Sequence, residues 1–284
     1  MFKIKTVCIV PAGIICCLFF SCSNSSSKKE SESAELAAQE ARQGVLRGIN
    51  EAGLNLNVYA RSAFQEDAVH DISLIPSYIV NGNKSATALI LGLFMSDLGY
   101  VNAFGKPVET QRFFEGCFLL ANDIGMKKQF EHAIDLQFAD ILSGKQNLSP
   151  SQEKILNNAE NRVDSAEFKK LHAAALAGFY IEELYHMVIY LESSAVADSL
   201  VMQTFQILMS QRQHLNNLVG YFDHLPMKPE GIALYMDILK LQEKYQEIDP
   251  ALLSKAIFPA ARQDEPYADI LASIKIIRGK ITIH

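Results

Sequence analysis

The stretch AEFKKLHAAALAGFYIEELYHMVIYL, residues Ala166–Leu191, decides the fold. Its apolar residues recur every three or four positions along its whole length, and no proline interrupts them. A repeat near 3.6 residues is typical of an amphipathic α-helix. A helix of this length needs other helices to cover its apolar side, so the stretch predicts a helical bundle.

The same period continues on both sides of this stretch. Runs in which Val, Ile or Thr alternate with polar residues are scarce, and the breaks fall at Gly, Pro and Asn. Short connections make successive helices antiparallel neighbours. The sequence therefore predicts an all-α fold, a multi-helix bundle of antiparallel helical hairpins in a single domain, residues 33–284. The predicted helices cover residues 33–51, 55–80, 85–104, 107–124, 127–143, 150–191, 196–221, 229–246, 250–257 and 266–278.

Glycine and proline mark the predicted helix ends. Asn81-Gly82-Asn83 supplies residues that adopt the left-handed conformation and so end a helix. Gly105 ends another helix, and Pro107 opens the next one, where the N–H that proline lacks has no partner anyway. Pro76 lies inside an apolar pattern and predicts a kink or split in the helix over 55–80.

Two seven-residue segments resemble each other. Gly92–Leu98 (GLFMSDL) and Gly178–Leu184 (GFYIEEL) match at a shift of 86 residues, each with a glycine, large apolar residues, an acid and a leucine. A duplicated helical hairpin would produce such a match. Chance similarity between two amphipathic helices is the favoured interpretation.

Asp97 and Glu182 are acidic residues on otherwise apolar helix stripes. A buried acid costs several kcal/mol unless it is paired or hydrogen-bonded, so each needs a partner. A polar network that fixes helix register is favoured over a ligand-binding or catalytic pocket of Asp97, Glu182 and His186. The candidate partners are Tyr59, Arg61, Tyr100, Tyr185, His186 and helix N-termini.

Glu183-Leu184-Tyr185-His186 has the E-x-x-H spacing of carboxylate-bridged di-iron bundles. Such a site needs a second E-x-x-H, and the nearest approach to one is Asp67-Ala68-Val69-His70. The motif is therefore predicted to be a helix-surface pair, and neither a metal nor another cofactor is expected. Glu183 follows Glu182 by about 100 degrees around the helix and is predicted to face solvent.

Known catalytic motifs give no support for an enzyme. The chain lacks G-x-S-x-G, zinc-type Cys or His spacings and glycine-rich phosphate loops. Cys117, within RFFEGCFLL, is expected to be a buried packing residue. No catalytic residue is predicted, and the sequence leans away from enzymatic activity.

The N-terminus has the layout of a secretory signal over residues 1–21. Lys3 and Lys5 precede the apolar run Thr6–Phe20, which is shorter than the roughly 20 residues that span a bilayer. Ser21-Cys22 after bulky apolar residues resembles a lipobox, in which the cysteine is acylated and becomes the first mature residue. Cys22 is therefore the predicted lipidation site. An ordinary signal cleaved near Ser21, or a cysteine buried in a first helix, is the alternative.

Residues 22–32 are predicted to be the lipidated cysteine and a flexible tether. The segment SNSSSKKESES has no apolar side chain to bury, which favours a solvated chain. Cleavage removes two lysines and leaves 24 basic against 32 acidic residues, a net charge of −8. Nucleic acid is excluded as a partner because binding it needs clustered basic residues.

Four segments resemble an uncharacterised family of all-helical lipoproteins of Bacteroidetes-type bacteria. They are IPSYIV (residues 75–80), LGLFMSDLGYVNAFG (91–105), FEGCFLLANDIGM (114–126) and GFYIEELY (178–185). The resemblance covers most of the mature chain. It implies an all-helical fold and a place in the cell envelope, and it assigns no functional residue.

Together these features predict a lipid-anchored envelope protein that acts as a binding or structural adaptor module, with an envelope protein as its expected partner. Ser23 stands where an aspartate retains some lipoproteins in the inner membrane, so the outer membrane is expected, with the periplasmic face favoured over the cell surface. The alternative is a small-molecule-binding protein or enzyme that uses Asp97, Glu182 and His186. An enzyme needs these groups to converge in an open cleft, whereas a packing network is closed and fully hydrogen-bonded.

Overall fold

The computed structural model describes residues 32–45, 47, 64–80, 82–128, 166–193, 199–225, 234–249, 251, 256, 258 and 260–283. These residues form helices and their connections, with no strand among them, so the predicted all-α bundle is confirmed. Residues 32–45 are helical. The helices that follow are α1 Ile75–Val80, α2 Lys84–Ala103, α3 Pro107–Asp123, α4 Ala166–Ser193, α5 Ser199–Met209, α6 Arg212–Asp223, α7 Tyr235–Gln246 and α8 Tyr267–Ile283.

Helices α2 and α4 form the centre of the bundle. Every residue from Thr87 to Val101 of α2 is buried, and so is every residue from Leu171 to Leu184 of α4. A helix that is buried on all sides has no solvent-facing stripe. The other helices cover this pair: α3 packs on α2, α5 packs on α4, and α8 lies against α4 and α7.

Two glycines allow α2 and α4 to approach each other closely. A Cβ atom on Gly92 would lie 1.8 Å from the carbonyl oxygen of Ala175, and one on Gly178 would lie 1.9 Å from the carbonyl oxygen of Leu89. Only hydrogen fits at both positions. The two segments that match at a shift of 86 residues therefore cross at their glycines.

The predicted ends of α2 and α3 are close to those observed. Asn83 caps α2 by accepting hydrogen bonds from the backbone of Ser85 and Ala86. Gly105 has a φ of 63°, and Pro107 is the first residue of α3. The sharp turn between the two helices is set by these residues, which is why the sequence predicts this hairpin.

Two predicted long helices are wrong. In place of a helix over 55–80, the described part of the chain has 3-10 turns at Glu66–Ala68 and Ile72–Leu74, and α1 begins only at Ile75, just before Pro76. The predicted helix 196–221 is two helices, α5 and α6. The break occurs at Gln211, whose backbone and side-chain carbonyl oxygens accept hydrogen bonds from the hydroxyl of Tyr180.

Several predictions fall outside the described residues. These are the signal peptide 1–21, the tether with Cys22, most of the helix 127–143, residues 150–165, and most of the helix 250–257. Cys117 is fully buried, as expected, and burial raises the pKa of its thiol. Among the described helices, α2 is long and apolar enough to cross a membrane by length and composition, yet 83% of that window is buried inside the protein.

Candidate functional site

Five side chains from four parts of the chain meet beside the crossing of α2 and α4. Asp97 comes from α2, Glu182 and His186 from α4, His70 from the segment before α1, and Arg278 from α8. Both Asp97 and Glu182 lie about one helical turn beyond the crossing glycine of their helix. We call His70, Asp97, Glu182, His186 and Arg278 the polar centre.

Asp97 joins the two histidines. Its Oδ2 accepts a hydrogen bond from the backbone N–H of His70 at 3.0 Å and lies 2.9 Å from His70 Nδ1, while its Oδ1 lies 3.1 Å from His186 Nε2. Burial by itself would raise the pKa of Asp97, but the two histidines outweigh it and hold the pKa well below its usual range. Asp97 is thus a buried carboxylate.

Glu182 is fully buried, and neither of its carboxyl oxygens accepts a hydrogen bond. Its Oε1 lies 3.5 Å from His70 Nδ1 and 3.8 Å from His186 Nε2, and its Oε2 lies 3.5 Å from Arg278 Nε. Burial, followed by the nearby Asp97 charge, raises the pKa of Glu182 well above its ordinary value despite Arg278. The carboxyl group is surrounded by polar atoms that stand too far away to satisfy it.

Arg278 is the member of the polar centre that reaches toward solvent. Its side chain is 17% exposed, whereas those of Asp97, Glu182 and His186 are 0% exposed. Its guanidinium carbon lies 4.5 Å from the ring centroid of Tyr185, at a distance typical of a cation–π contact. Its Nη2 lies 3.2 Å from His70 Nδ1.

A second layer of polar groups supports His186. The hydroxyl of Ser96 donates to Glu183 Oε1 at 2.8 Å and lies 3.4 Å from His186 Nδ1. The ring of Tyr100 stacks on the His186 imidazole, with centroids 4.5 Å apart. Burial raises the pKa of Glu183 to about 7.

The predicted surface position of Glu183 is wrong. Glu183 is 1% exposed and His186 is 1% exposed, so their E-x-x-H is not a helix-surface pair. The prediction assumed that α4 has one buried stripe and one solvent-exposed face. Because α4 is covered on all sides, adjacent residues that point about 100 degrees apart are both buried.

The structure confirms that Asp97 and Glu182 are buried, and it brings both of them together with His186. Tyr100 and Tyr185 lie at the edge of the polar centre, whereas Tyr59 and Arg61 fall outside the described residues. Sequence reasoning missed Arg278 and gave His70 only a minor role. Arg278 had a signal, since it continues the apolar repeat of α8 formed by Ile270, Ile274 and Ile281. His70 precedes a turn and had no periodic signal.

Comparison with protein-family models, curated proteins and solved structures gave no significant match. The resemblance to an envelope lipoprotein family therefore stays a prediction. The chemistry of the polar centre has to be inferred from its own geometry.

The polar centre is closed, but its hydrogen bonding is incomplete. His70 Nε2, both oxygens of Glu182, Glu183 Oε2 and Arg278 Nε are buried without a hydrogen bond. His70 Nδ1 faces two groups with opposite requirements. It must donate a proton to bond with the Asp97 carboxylate, and it must accept through its lone pair to bond with Arg278 Nη2. One imidazole nitrogen cannot do both. The side chains of the polar centre therefore converge, but several of their donors and acceptors have no hydrogen-bond partner.

Ser96, His186 and Asp97 also stand in the order of a nucleophilic triad. Ser96 lies 3.4 Å from one ring nitrogen of His186, and Asp97 lies 3.1 Å from the other. A nucleophile must reach its substrate, but Ser96 is 0% exposed in the middle of α2 and already donates its proton to Glu183. This geometry does not favour acyl transfer.

Proposed function

We propose that the chain is a lipid-anchored protein of the bacterial cell envelope whose helical domain binds a small ligand at the polar centre. The observation that carries this proposal is Glu182, a fully buried carboxyl group whose oxygens accept no hydrogen bond. Leaving such a group unpaired costs several kcal/mol. A bound ligand that contacts it removes this cost.

A purely structural network accounts for the polar centre less well. Buried polar groups in native proteins are nearly always hydrogen-bonded, because an unsatisfied partner is expensive. Among the described residues, five of the buried side-chain atoms without a hydrogen bond lie together on His70, Glu182, Glu183 and Arg278, while the others lie singly or in a pair on Arg42, Tyr78, Thr87 and Thr204. This clustering supports a binding site over a network that only fixes helix register.

The cellular location follows from the N-terminal sequence. Lipid on Cys22 anchors the chain, residues 23–32 tether the domain, and Ser23 favours the outer membrane with the domain on its periplasmic side. A ligand of this protein is then a species present in the periplasm. The net charge of −8 in the mature chain suits a cationic ligand better than an anionic one.

Native mass spectrometry of the full-length lipoprotein in detergent tests the binding proposal. We expect the native mass to exceed the denatured mass by a bound species, because the polar centre is unsatisfied without one. The excess should disappear in Asp97→Asn and persist in Glu192→Gln. Glu192 is a matched control, since it is a half-exposed glutamate of the same helix that pairs with Lys275.

Equal native and denatured masses would contradict ligand binding. A single stoichiometric protein recovered from cross-linked envelopes, together with equal masses, would favour the adaptor role instead. Cross-linking and mass measurement on the same preparation therefore separate the two functions.

A further inference from the structure

We infer that the ligand of the polar centre is a divalent first-row transition-metal ion, held by His70, Asp97, Glu182 and His186. This inference rests on the proposed function, since it names the ligand of the same site. No E-x-x-H motif of the chain contains two of these four residues. The sequence argued against a metal because a second such motif is missing, but the structure assembles its donor set from an i, i+4 pair, a facing aspartate and a histidine outside the helices.

The donor separations of His70, Asp97 and Glu182 fit one ion, and His186 lies next to the second oxygen of Asp97. Ligands about 2.1 Å from a metal lie roughly 3 to 3.5 Å from each other in octahedral or tetrahedral coordination. His70 Nδ1 lies 2.9 Å from Asp97 Oδ2 and 3.5 Å from Glu182 Oε1, and His186 Nε2 lies 3.1 Å from Asp97 Oδ1. One donor atom from each of His70, Asp97 and Glu182 lies within 4.8 Å of the others.

Glu182 Oε1 and His186 Nε2 lie 3.8 Å apart. The Glu182 carboxyl group accepts no hydrogen bond that holds it in place, so a small rotation closes that gap. An ion between these atoms would satisfy Glu182. It would also end the conflict at His70 Nδ1, whose lone pair would face the metal in place of Arg278.

The charge and the donor types select the class of ion. Asp97 and Glu182 supply two carboxyl groups, which carry two negative charges when both bind an ion as carboxylates. A dication neutralises this charge at a place from which water is excluded. Two imidazoles with two carboxylates are typical ligands of Zn²⁺ and Fe²⁺, whereas Mg²⁺ and Ca²⁺ prefer oxygen donors alone.

The second layer has the form of a metal-ligand support. A histidine that binds a metal through one nitrogen usually donates its other N–H to a carboxylate, a carbonyl or another acceptor. His186 Nδ1 can donate to Ser96 Oγ, and the Ser96 hydroxyl in turn donates to Glu183 Oε1. This order leaves His186 Nε2 free for the ion. Ser96 and Glu183 are thus positioning residues.

Arg278 closes the site on the outside. It contacts Glu182 through Oε2, the oxygen that does not face the histidines, and its partly exposed side chain lies on the ring of Tyr185. When an ion binds the lone pair of His70 Nδ1, the Arg278 guanidinium can move toward solvent along the ring of Tyr185. Arg278 is therefore the cation that a metal ion would replace beside His70 Nδ1.

Metal content and a Co²⁺ titration test the inference on the full-length protein. We expect the purified lipoprotein to carry about one equivalent of a single first-row metal, and the chelator-treated protein to take up Zn²⁺ and Co²⁺, with visible Co²⁺ bands from mixed nitrogen and oxygen ligands. His70→Ala and His186→Ala should lose the bands. Glu183→Gln should weaken Co²⁺ binding by about 10 to 100-fold without removing the bands. Glu192→Gln should bind like the unmodified protein.

Circular dichroism shows whether each variant is folded, and the unmodified protein decides the case by itself. If it holds no metal when purified and takes up neither Zn²⁺ nor Co²⁺, the inference is wrong. Unchanged affinity in both histidine variants would also overturn it. An organic mass excess in native mass spectrometry would keep ligand binding and reject the metal, whereas no excess of any kind would reject both.

Discussion

Neighbouring acids on one helix have separate tasks in this protein. Glu182 points into the polar centre toward His70 and Arg278, while Glu183 points to Ser96. Both are buried, but only Glu183 accepts a hydrogen bond, so only its removal strands a hydrogen-bond donor in the core. Their contributions to stability can be measured separately.

We predict that Glu183→Ala lowers the free energy of unfolding by about 1 to 3 kcal/mol, because it strands the Ser96 hydroxyl. Glu182→Ala should cost less, because the carboxyl group that it removes accepts no hydrogen bond. Glu182→Gln should be close to neutral, since it keeps the shape of a carboxyl group whose oxygens accept no hydrogen bond. Urea unfolding in the presence of a chelator measures these effects without a bound metal.

Glu192→Ala is the matched control and should be nearly neutral, because its ion pair with Lys275 is half-exposed. A silent Glu183→Ala would show that the Ser96 hydroxyl finds another acceptor. In that case Glu183 has no positioning role.

At this scale the sequence located the acids and one of their partners, His186, but not His70 or Arg278. An acid within an apolar repeat is visible in the repeat itself, which is how Asp97 and Glu182 were found. Their partners depend on tertiary structure: His70 lies 27 positions from Asp97, and Arg278 lies 208 positions from His70. No local pattern encodes such pairs.

The crossing of α2 and α4 explains the similarity of Gly92–Leu98 to Gly178–Leu184 at the scale of elements. Each segment places a glycine at the point of closest approach, apolar residues beside it and an acid one turn later. Two helices that pack on each other in this way face the same steric demands. Shared packing is therefore sufficient to produce the match, without duplication of a hairpin.

We predict that Gly92→Ala and Gly178→Ala destabilise the fold by about 1 to 3 kcal/mol or more, because the new Cβ meets a backbone oxygen that cannot move without separating the helices. The same separation would spread the donors of the polar centre. Both variants should therefore lose Co²⁺ binding before they lose their helix content, as a titration followed by circular dichroism would show.

Gly279→Ala serves as the control for this pair. It lies within α8, and apart from its own helical turn no atom of the described residues stands within 4 Å of the place that an alanine methyl group would occupy. The higher helix propensity of alanine should therefore stabilise the protein by up to about 1 kcal/mol. Equal behaviour of all three glycine variants would contradict the close crossing of α2 and α4.

Helix boundaries were predictable where local chemistry sets them. Asn83, Gly105 and Pro107 fix the ends of α2 and α3 through capping and backbone preference, and the structure follows them. The break between α5 and α6 has no such residue. It depends on hydrogen bonds from Tyr180 of α4 to Gln211, which are tertiary contacts.

For the molecule as a whole, anchor and binding site are proposed to be independent parts. The lipid on Cys22 needs no apolar surface of the domain, because the acyl chains supply the membrane affinity. The polar centre lies between the two central helices, with Arg278 as its link to solvent. Changes at one part should leave the other unaffected.

We predict that Cys22→Ser moves the full-length protein from the membrane fraction to the soluble fraction and leaves its helix content and Co²⁺ binding unchanged. Each buried methylene of an acyl chain contributes about 0.8 kcal/mol to membrane affinity, and the serine variant cannot be acylated. Cys17→Ser is the matched control, since that cysteine lies in the same apolar run and should leave sedimentation unaffected. If Cys22→Ser still sediments with membranes after a salt wash, the lipobox interpretation fails, and an uncleaved signal or the apolar helix α2 would have to hold the chain there. The burial of α2 inside the bundle argues against the second of these explanations.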